Sequence, residues 1–476
     1  MRNPWTPKPA DRVVRHPRQE EIQPVRLTVT TRRVPSKFVA SPLLIVYAFI
    51  ALIAVGTILL LMPLANTAGG FTPFLDALFT STSAVTVTGL VTQDTATFWS
   101  RPGQIIIMVL MYAGGLGFMT IATFLLVLIG QRVTIAQRLA MREGLLVNQL
   151  GGLARLTVGI VIAATLIQLI GFLGLFARFY FLYPPAEAVY QSVFHSISAF
   201  NSAGFLAFNE EAGFAAFRGD FAILGVMSLL IFVGAISYWV IIDLVRVRKF
   251  SLFTLNTKIV LVMTAALTLI GFVGFFVLEY QNPETIGSLP VGEKAMVSFF
   301  QALSSRTAGF SLVGLDVAHA QTNFLTTGLM FIGGASASVT GGIKVNTLAL
   351  ILLAIMATIK GRTSTTAFGR EIPRSLVQRA FVVGAISIAF VFLVILLLSI
   401  SERGADFLDI VFEAISAFGT VGLSTGLTPE LSNSGRLIVI ATMFLGKLGP
   451  LTVGLTMVQR RERDLYRYPQ ERVTIG

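Results

Sequence analysis

The sequence predicts an all-α protein that crosses a membrane several times. Hydrophobic residues make up 54% of its 476 residues and charged residues only 13%, whereas a typical soluble domain is about 25% charged. Eight apolar stretches reach the roughly 20 residues that a transmembrane helix needs, and one short motif recurs four times between them. Together these observations predict a polytopic membrane protein with eight transmembrane spans, built as four repeats around one pseudo-fourfold pore.

The apolar stretches occur in pairs, and each pair with the motif between its members forms one predicted repeat. The stretches are residues 43–64, 105–129, 156–182, 221–245, 259–279, 325–359, 380–400 and 437–458. The repeats are residues 41–145, 146–250, 251–370 and 371–460, with a basic extension at 1–40 before them and a tail at 461–476 after them.

The net charge of +12 is concentrated in loops that follow every second span. By the positive-inside rule, these loops and both termini are predicted to be cytoplasmic, so the four motifs fall on the outer side. Cationic residues placed between spans indicate membrane orientation and contact with lipid rather than a nucleic-acid partner. The absence of cysteine from the sequence excludes disulfides, thiol chemistry and cysteine-ligated metals.

The recurring motif ends in a glycine followed by leucine or phenylalanine, at intervals of 105 to 115 residues. Its four copies are TVTGL (86–90), NSAGF (201–205), RTAGF (306–310) and GTVGL (419–423). A phenylalanine stands ten residues before each glycine, and a serine six residues before three of them: Phe79, Phe194, Phe299, Phe412, Ser83, Ser198 and Ser416.

The segments upstream of the glycines are moderately apolar and about eleven residues long: 74–85, 189–200, 295–305 and 408–418. They are too short to cross a bilayer, and their length is that of a re-entrant half-helix. Non-helical backbone at membrane depth is tolerated only where it is buried in protein or lines water. Each repeat is therefore predicted to contain a span, a half-helix, a glycine turn and a second span.

A ring of four such turns suits the passage of a cation. Backbone carbonyls replace the hydration oxygens of an ion without a fixed charge that would trap it, and glycine permits the backbone angles that turn a carbonyl inward. The C-terminal ends of the half-helices would add partial negative charge. The candidate ion-binding residues are Thr86, Val87, Thr88, Gly89, Asn201, Ser202, Ala203, Gly204, Arg306, Thr307, Ala308, Gly309, Gly419, Thr420, Val421 and Gly422.

The sixth apolar stretch is too long for one crossing and contains a run rich in glycine and small polar residues. The run comprises Gly333, Gly334, Ala335, Ser336, Ala337, Ser338, Val339, Thr340, Gly341 and Gly342, with Lys344 close behind. Such a run does not sustain a lipid-facing helix, so we expect a broken helix with a mobile loop at the pore. Lys447 lies inside the eighth stretch, where a charge usually faces a cavity.

Other positions of the repeats carry polar residues or glycines. His195, Glu413 and Gln301 lie on the half-helices, and we interpret them as contacts that hold those helices in place rather than as a metal or proton site. Arg306 is expected to brace its turn as a hydrogen-bond donor. Gly114, Gly234, Gly333 and Gly446 occupy matching places in the second spans, where glycine permits either close helix packing or bending.

The motifs VTVTGL, SAFNSAGF, SSRTAGF and SAFGTVGL resemble the pore-loop signatures of the Trk/Ktr/HKT potassium transporter superfamily. The resemblance covers residues 40–476. Within the superfamily the chain looks most like the pore subunits of bacterial Ktr systems, because Trk relatives carry two more N-terminal helices and no apolar span precedes residue 43.

This resemblance implies potassium uptake through a pore in the bacterial inner membrane, with potassium bound at the filter carbonyls. Sodium-selective plant relatives have serine where this chain has Gly89. The resemblance also implies that the loop in span six is the gate, in concert with Lys447, where relatives more often have arginine. The expected partners are a second copy of the chain and a KtrA-like octameric ring of nucleotide-binding RCK subunits. The chain itself shows no nucleotide site, and activation by sodium is left open.

The same features bear on two other classes of protein. A sodium- or proton-coupled secondary transporter also uses broken helices, but commonly as two inverted repeats with charges at the midplane. A membrane enzyme would need a reactive constellation, and the sequence contains no Ser/His/Asp set, no HExxH and no phosphate-binding glycine loop. The sequence therefore favours a cation pore that is not an enzyme.

Overall fold

The structure, a computed structural model, describes residues 43–117, 153–208 and 213–449. The predicted extension at 1–40 and the predicted tail at 461–476 lie outside these ranges, as do the ends of the second and eighth apolar stretches.

Helices dominate the described residues, and a long helix, a shorter helix and a third helix follow one another in each of four units. The first unit contains α1 (Leu43–Leu61), α2 (Phe74–Thr86) and α3 (Arg101–Leu116). The second contains α4 (Leu153–Phe179), α5 (Pro185–Phe200), α6 (Phe221–Ala235) and α7 (Tyr238–Val247).

The third and fourth units repeat this order with additions. The third contains α8 (Leu255–Glu279), α9 (Val291–Thr307), α10 (Ala320–Met330) and α11 (Val345–Ile359). The fourth contains α12 (Arg374–Ser401), α13 (Phe407–Gly419), the single turn α14 (Leu427–Glu430) and α15 (Asn433–Leu448). A two-stranded hairpin, β1 (Thr366–Ala367) and β2 (Arg370–Glu371), joins the two units with Thr366 opposite Glu371. Short 3₁₀ turns occur at Pro63–Ala65, Gly213–Phe217 and Phe250–Leu252.

Local sequence explains where the short helix of each unit begins. The short helices α2, α5 and α9 start directly after Pro73, Pro184 and Pro290, because proline lacks the backbone N–H that a helix interior requires and so limits the helix on its N-terminal side. The fourth, α13, starts directly after Asp406, whose carboxylate accepts from the Leu408 N–H at 2.8 Å. Such N-caps satisfy backbone donors that the first helical turn leaves free.

The long helices supply the membrane-crossing elements. Among the described residues, Thr157–Phe179 of α4, all of α8 and all of α12 are long and apolar enough to cross a bilayer, and α6 with α7 qualify as a bent pair. Apolar side chains such as Leu269, Ile270 and Val273 of α8 are exposed on the protein surface, which indicates a lipid-facing side. The structure thus describes a multi-pass membrane protein, and the number of eight spans stays a prediction.

The fourth apolar stretch forms two helices instead of the single transmembrane helix that the sequence predicts. It breaks after Ala235, where α6 and α7 meet at 103°. The reason lies in the third unit: the Ala235 carbonyl accepts a hydrogen bond from the Ala335 N–H at 3.0 Å and is therefore diverted from a helical partner. The sixth stretch is broken as predicted, because residues 331–344 separate α10 from α11.

The four units form a closed ring. The third helix of each unit packs against the short helix of the next one, in the pairs α3–α5, α6–α9, α10–α13 and α15–α2. Arginines reinforce three of the contacts between units: Arg436 pairs with Asp76 at 2.9 Å, Arg101 pairs with Glu187 at 2.5 Å, and Arg218 donates to the Leu312 carbonyl at 2.6 Å. The Arg436 pair joins the fourth unit to the first.

Glycines in the third helices allow close packing within three of the four units. A Cβ atom at Gly114, Gly234 or Gly446 would collide with the backbone carbonyl of Val85, Phe200 or Phe418, respectively. Each of these carbonyls lies near the end of the short helix of the same unit, so the glycine sets the distance between the two helices. The third unit departs from this pattern, because Gly333 faces the carbonyl of Gly341 in its own loop.

We expect Arg436→Gln to destabilise the fold far more than Arg101→Gln. The side chains of Arg436 and Asp76 are only 18% and 7% exposed, so the substitution leaves a buried carboxylate unpaired at a cost of about 3 kcal/mol. Arg101 and Glu187 are 42% and 28% exposed, and loss of such a pair costs about 1 kcal/mol or less. Chemical unfolding in detergent micelles measures both losses, and equal losses would contradict the assigned role of Arg436.

Candidate functional site

The four glycine turns meet at the centre of the ring. A Cβ at Gly204 would lie 2.9 Å from the Ala308 carbonyl oxygen. The other three glycines show the same relation, since an added Cβ would collide with the carbonyl oxygen of Ala203, Val421 or Thr88. In every case the carbonyl belongs to the residue before the next glycine in the ring: Gly89 meets Ala203, Gly204 meets Ala308, Gly309 meets Val421 and Gly422 meets Thr88. The backbone thus closes on itself with no room for a side chain.

The turns also need backbone angles that favour glycine. The φ angles of Gly89, Gly204, Gly309 and Gly422 are +93°, +72°, +75° and +95°, in the left-handed region that residues with a Cβ seldom adopt. A side chain at these positions therefore meets two obstacles, a strained φ and a neighbouring carbonyl.

A serine hydroxyl fastens each turn to its short helix. The N–H groups of Gly89 and Gly422 donate to the hydroxyls of Ser83 and Ser416 at 3.0 and 3.1 Å. In the other two units the hydroxyl is the donor, from Ser198 to the Phe205 carbonyl at 2.8 Å and from Ser304 to the Phe310 carbonyl at 2.6 Å.

The third turn is one residue shorter than the others. Its serine, Ser304, precedes the glycine by five residues instead of six. The first, second and fourth turns each contain a non-glycine residue with positive φ two positions before the glycine, namely Val87, Ser202 and Thr420. In the third unit, the residue at that position, Thr307, is still helical.

The shorter third turn corrects one part of the alignment of the four motifs. Phe299 was matched to Phe79, Phe194 and Phe412, yet Phe299 is 41% exposed whereas the other three are fully buried. The fully buried residue of the third unit is Phe300. Because one residue is missing between serine and glycine, alignment on the glycines shifts the whole of α9 by one position.

The short helices are longer than the predicted half-helices, at 13, 16, 17 and 13 residues. Thr86, Arg306, Thr307 and Gly419, expected to be turn residues, form the last helical residues instead. The remaining candidates lie in the turns or at their start: Val87, Thr88, Gly89, Asn201, Ser202, Ala203, Gly204, Ala308, Gly309, Thr420, Val421 and Gly422.

Polar side chains on three short helices hold the chain just beyond the glycine. His195 accepts from the Ala207 N–H through Nε2 at 3.3 Å, while its Nδ1–H donates to the Gln191 carbonyl. Gln301 donates to Ser311, and Glu413 accepts from Ser424 at 3.0 Å. These contacts agree with the interpretation that His195, Gln301 and Glu413 are structural.

Hydroxyl groups with no protein partner lie at the base of three turns. Ser202, Thr307 and Thr420 each stand two residues before a ring glycine and are buried. Their side-chain oxygens have no hydrogen-bond partner among the described residues. A buried oxygen without a partner is costly, so these positions suit an ion or water that supplies the missing contact.

Arg306 does not bond to the turn that it was expected to brace. The side chain is 1% exposed, and its Nη1 donates to the Thr268 hydroxyl of α8 at 3.3 Å. Its Nε and Nη2 have no partner among the described residues. The guanidinium therefore contacts the long helix of its own unit rather than a carbonyl of the ring.

The small-residue loop of the third unit lies against the turn of the fourth. Its two ends pair side by side at Ile332 and Ile343, and the Gly333 N–H donates to the Ile343 carbonyl at 2.9 Å. A Cβ on Gly342 would lie 3.2 Å from the Gly419 Cα, and one on Gly341 would collide with the Thr420 side chain. The loop thus occupies the space beside the base of the ring.

Two lysines hold the loop by its carbonyls. The Lys447 ammonium, from α15, donates to the Val339 carbonyl, and the Lys344 ammonium donates to the Thr340 carbonyl. Within the loop, the Gly334 N–H donates to the Thr340 hydroxyl at 2.9 Å, and Ser338 bonds to the same hydroxyl. Lys447 therefore contacts the loop directly.

Comparisons with known proteins agree with this architecture. A family model described as TrkH, cation transport protein, matches residues 24–467 of the chain. Ktr system potassium uptake protein B of Bacillus subtilis is 38% identical over 435 residues, which are 91% of this chain and 96% of that protein. Potassium/sodium uptake protein NtpJ of Enterococcus hirae is 35% identical over 459 residues, which are 94% of this chain and 100% of that protein.

A solved structure shows the same fold. The potassium transporter TrkH from Vibrio parahaemolyticus aligns with a TM-score of 0.68, covering 90% of this chain and 86% of that one at 17% sequence identity.

We expect Ser416→Ala to lower the free energy of unfolding by about 1–2 kcal/mol, because the half-buried Gly422 N–H loses its acceptor. Ser399→Ala is the matched control, since the Ser399 hydroxyl only bonds back to the Ile395 carbonyl of its own helix. Thermal unfolding in detergent compares the two variants. A Ser416 variant as stable as the Ser399 variant would show that the hydroxyl does not fasten the turn.

Proposed function

The chain belongs to the TrkH family of cation transport proteins, and on that basis we propose that it is the pore-forming subunit of a Ktr-type potassium uptake system. It is a multi-pass membrane protein and not an enzyme. The observation that carries the proposal is the closed ring of four glycine turns, in which each glycine approaches the carbonyl before the next. A ring of backbone carbonyls replaces the hydration shell of a monovalent cation.

In this proposal the selectivity filter consists of the sixteen candidate residues named from the sequence, and potassium is the transported substrate at their carbonyls. The unpartnered hydroxyls of Ser202, Thr307 and Thr420 support an ion or water position at the base of the filter. The C-terminal ends of four short helices point partial negative charge at the ring and favour a cation there.

We further propose that residues 333–342, with Lys344 and Lys447, form the gate. The close approach of Gly342 to Gly419 and of Gly341 to Thr420 supports this role, because the loop lies beside the fourth turn. The lysines supply positive charge and hydrogen bonds that hold the loop in place. A loop held by a few hydrogen bonds is an element that a regulatory partner can release.

The name of the Bacillus relative refers to a Ktr system, which supports a partner subunit for this chain. We propose a homodimer regulated by a KtrA-like octameric ring of RCK subunits on the cytoplasmic side, with any nucleotide bound by that ring. The proposed location is the bacterial inner membrane with both termini cytoplasmic, supported by the basic loops of the sequence.

Sodium is the second candidate ion, because the Enterococcus relative is named a potassium/sodium uptake protein. The two candidate ions are distinguished by measuring potassium uptake and sodium uptake through this protein in cells that lack their own potassium uptake systems. Parallel strains with and without a co-expressed RCK subunit test the partner. Potassium-dependent growth and uptake of a potassium tracer support the proposal. If neither is restored in either strain although the protein is present in the membrane, the proposal is refuted.

We expect Gly89→Ser to reduce the preference for potassium over sodium roughly tenfold, the effect of about 1.4 kcal/mol. The new side chain would displace the Ala203 carbonyl of the neighbouring turn. Gly69→Ser is the matched control, because Gly69 also has a positive φ, +72°, but has no atom within 4 Å of an added Cβ. Unchanged selectivity in the Gly89 variant would reject the assignment of the filter.

We expect deletion of residues 335–340 to raise potassium flux severalfold without the regulatory subunit. Ile332 and Ile343 remain paired in the deletion variant, and the four glycines between them can close the turn. Lys447→Met, which removes the ammonium charge and its bond to Val339, should also raise flux, by less than the deletion does. Flux at or below wild type in a deletion variant that elutes and unfolds normally would show that the loop is only packing.

A further inference from the structure

Phe250, Lys258 and Phe368 form an aromatic cluster that joins two connections far apart in the sequence. Phe250 follows α7, and Phe368 lies at the tip of the hairpin between β1 and β2. Their rings meet edge to face, with centroids 6.1 Å apart at 76°. The Lys258 ammonium lies 5.8 and 5.9 Å from the two ring centroids, within the range of a cation–π contact. The cluster therefore holds the connection between α7 and α8 against the hairpin.

Phe368 occupies a position that its local backbone does not favour. The hairpin loop has two residues, since Ala367 pairs with Arg370, and Phe368 and Gly369 both have positive φ, +50° and +74°. Such loops favour asparagine or glycine, because a bulky residue at positive φ is strained. Phe368 is also 48% exposed, as is Phe250. Strain and exposure together indicate that these rings meet an apolar environment beyond the protein.

The aromatic cluster lies where membrane-crossing helices begin. The helices α8 and α12, both long and apolar enough to cross a bilayer, begin five residues after Phe250 and six residues after Phe368. Neighbouring helix ends also expose apolar side chains: Ile359 at the end of α11 is 79% exposed, and Leu376 in the first turn of α12 is 45% exposed. The rings therefore extend the lipid-facing surface to the level of the headgroups, where aromatic residues concentrate in membrane proteins.

Basic residues flank the aromatic cluster without acidic partners. The segments 246–258 and 360–374 contain eight basic residues and one acidic residue, a net charge of +7. Among the residues that the structure describes, none of the eight forms an ion pair. The carboxylate of Asp243, just before the first segment, accepts from the hydroxyls of Thr254 and Thr257 instead. The eight are Arg246, Arg248, Lys249, Lys258, Lys360, Arg362, Arg370 and Arg374.

Two properties of this surface determine the class of its partner. The exposed rings and helix ends need apolar groups, whereas the flanking lysines and arginines need an anion. An anionic phospholipid supplies both in one molecule, because its phosphate lies at the headgroup level and its acyl chains lie beside the helices. Polybasic segments next to membrane-crossing helices attract anionic lipids in this way. An acidic soluble protein would match the charge, but the apolar surface continues along the helices, where lipid is the solvent.

We propose that the aromatic cluster and its flanking basic residues form a binding site for an anionic phospholipid. The phosphate contacts Lys249 and Arg370, which stand within two residues of the rings in sequence. The glycerol and the upper acyl chains cover Phe250 and Phe368. The bound lipid joins the connection between α7 and α8 to the hairpin and so fixes the starts of α8 and α12. The site rests on the membrane location of the chain and is independent of the transported ion and of any regulatory subunit.

Binding is tested on the full chain in detergent, titrated with dioleoyl phosphatidylglycerol or dioleoyl phosphatidylcholine, and native mass spectrometry counts the lipids bound. We expect wild type to bind one phosphatidylglycerol per chain at least tenfold more tightly than phosphatidylcholine. Lys249→Gln/Arg370→Gln should weaken phosphatidylglycerol binding roughly tenfold and leave phosphatidylcholine binding unchanged, because charge is removed while the rings stay. Added salt should weaken phosphatidylglycerol binding to wild type, since the charges are exposed.

Phe368→Gly separates the role of the ring from that of the hairpin. Glycine fits the positive φ of this loop position, so the variant should elute and unfold close to wild type. It should nevertheless bind phosphatidylglycerol severalfold more weakly, because one of the two rings is gone. Phosphatidylglycerol binding equal to that of wild type would contradict the proposed site.

The matched control is Arg178→Gln/Arg403→Gln. It also removes two exposed cationic side chains, but these stand at the C-terminal ends of α4 and α12, away from the aromatic cluster. This control should bind phosphatidylglycerol as wild type does. Equal phosphatidylglycerol binding by all variants that elute and unfold normally would overturn the proposal. Loss of a co-expressed RCK subunit from Lys249→Gln/Arg370→Gln, with phosphatidylglycerol binding unchanged, would also overturn it, because the surface would then be a protein interface.

Discussion

The approach of four backbones at the centre of the ring is the constraint on which the rest of the structure depends. At each of four places the chain comes so near its neighbour that no side chain fits, and glycine is required both by that distance and by a positive φ. Contacts this close need support from outside. The serine hydroxyls fix each turn to its short helix, and glycines of the third helices bring a further helix against three of the short helices.

Much of this arrangement was predictable because its causes are local. A glycine with a small residue before it and a short apolar segment upstream predicts a turn after a half-helix wherever it occurs. The broken sixth stretch was predictable for the same reason, since a run of glycine and serine does not form a stable helix. The partners of that loop were not predictable: the pairing of Ile332 with Ile343 and the bond from Lys447 to Val339 join residues that no local pattern relates.

Two features of the structure were not predicted from the sequence, each for an identifiable reason. Alignment on glycines hides a deletion just before the glycine, and three signals marked it together: Gln301 and Ser304 each stood one position late, and a second phenylalanine followed Phe299. The bend after Ala235 was hidden because the residues around it are as apolar as a straight span. Its cause is the distant Ala335 N–H, and a hydrogen bond across 100 residues leaves no trace in local composition.

The shorter third turn has a consequence for how such a ring changes over time. In an assembly of four identical chains, every substitution enters all four quadrants at once, so a small local cost is multiplied by four. In a single chain each quadrant carries its own residues, so a substitution enters one turn and leaves the sequence of the other three unchanged. One quadrant can therefore differ from the others, as the shorter turn before Gly309 does, while the ring stays closed. In a continuous chain, each quarter of the ring can therefore be substituted on its own.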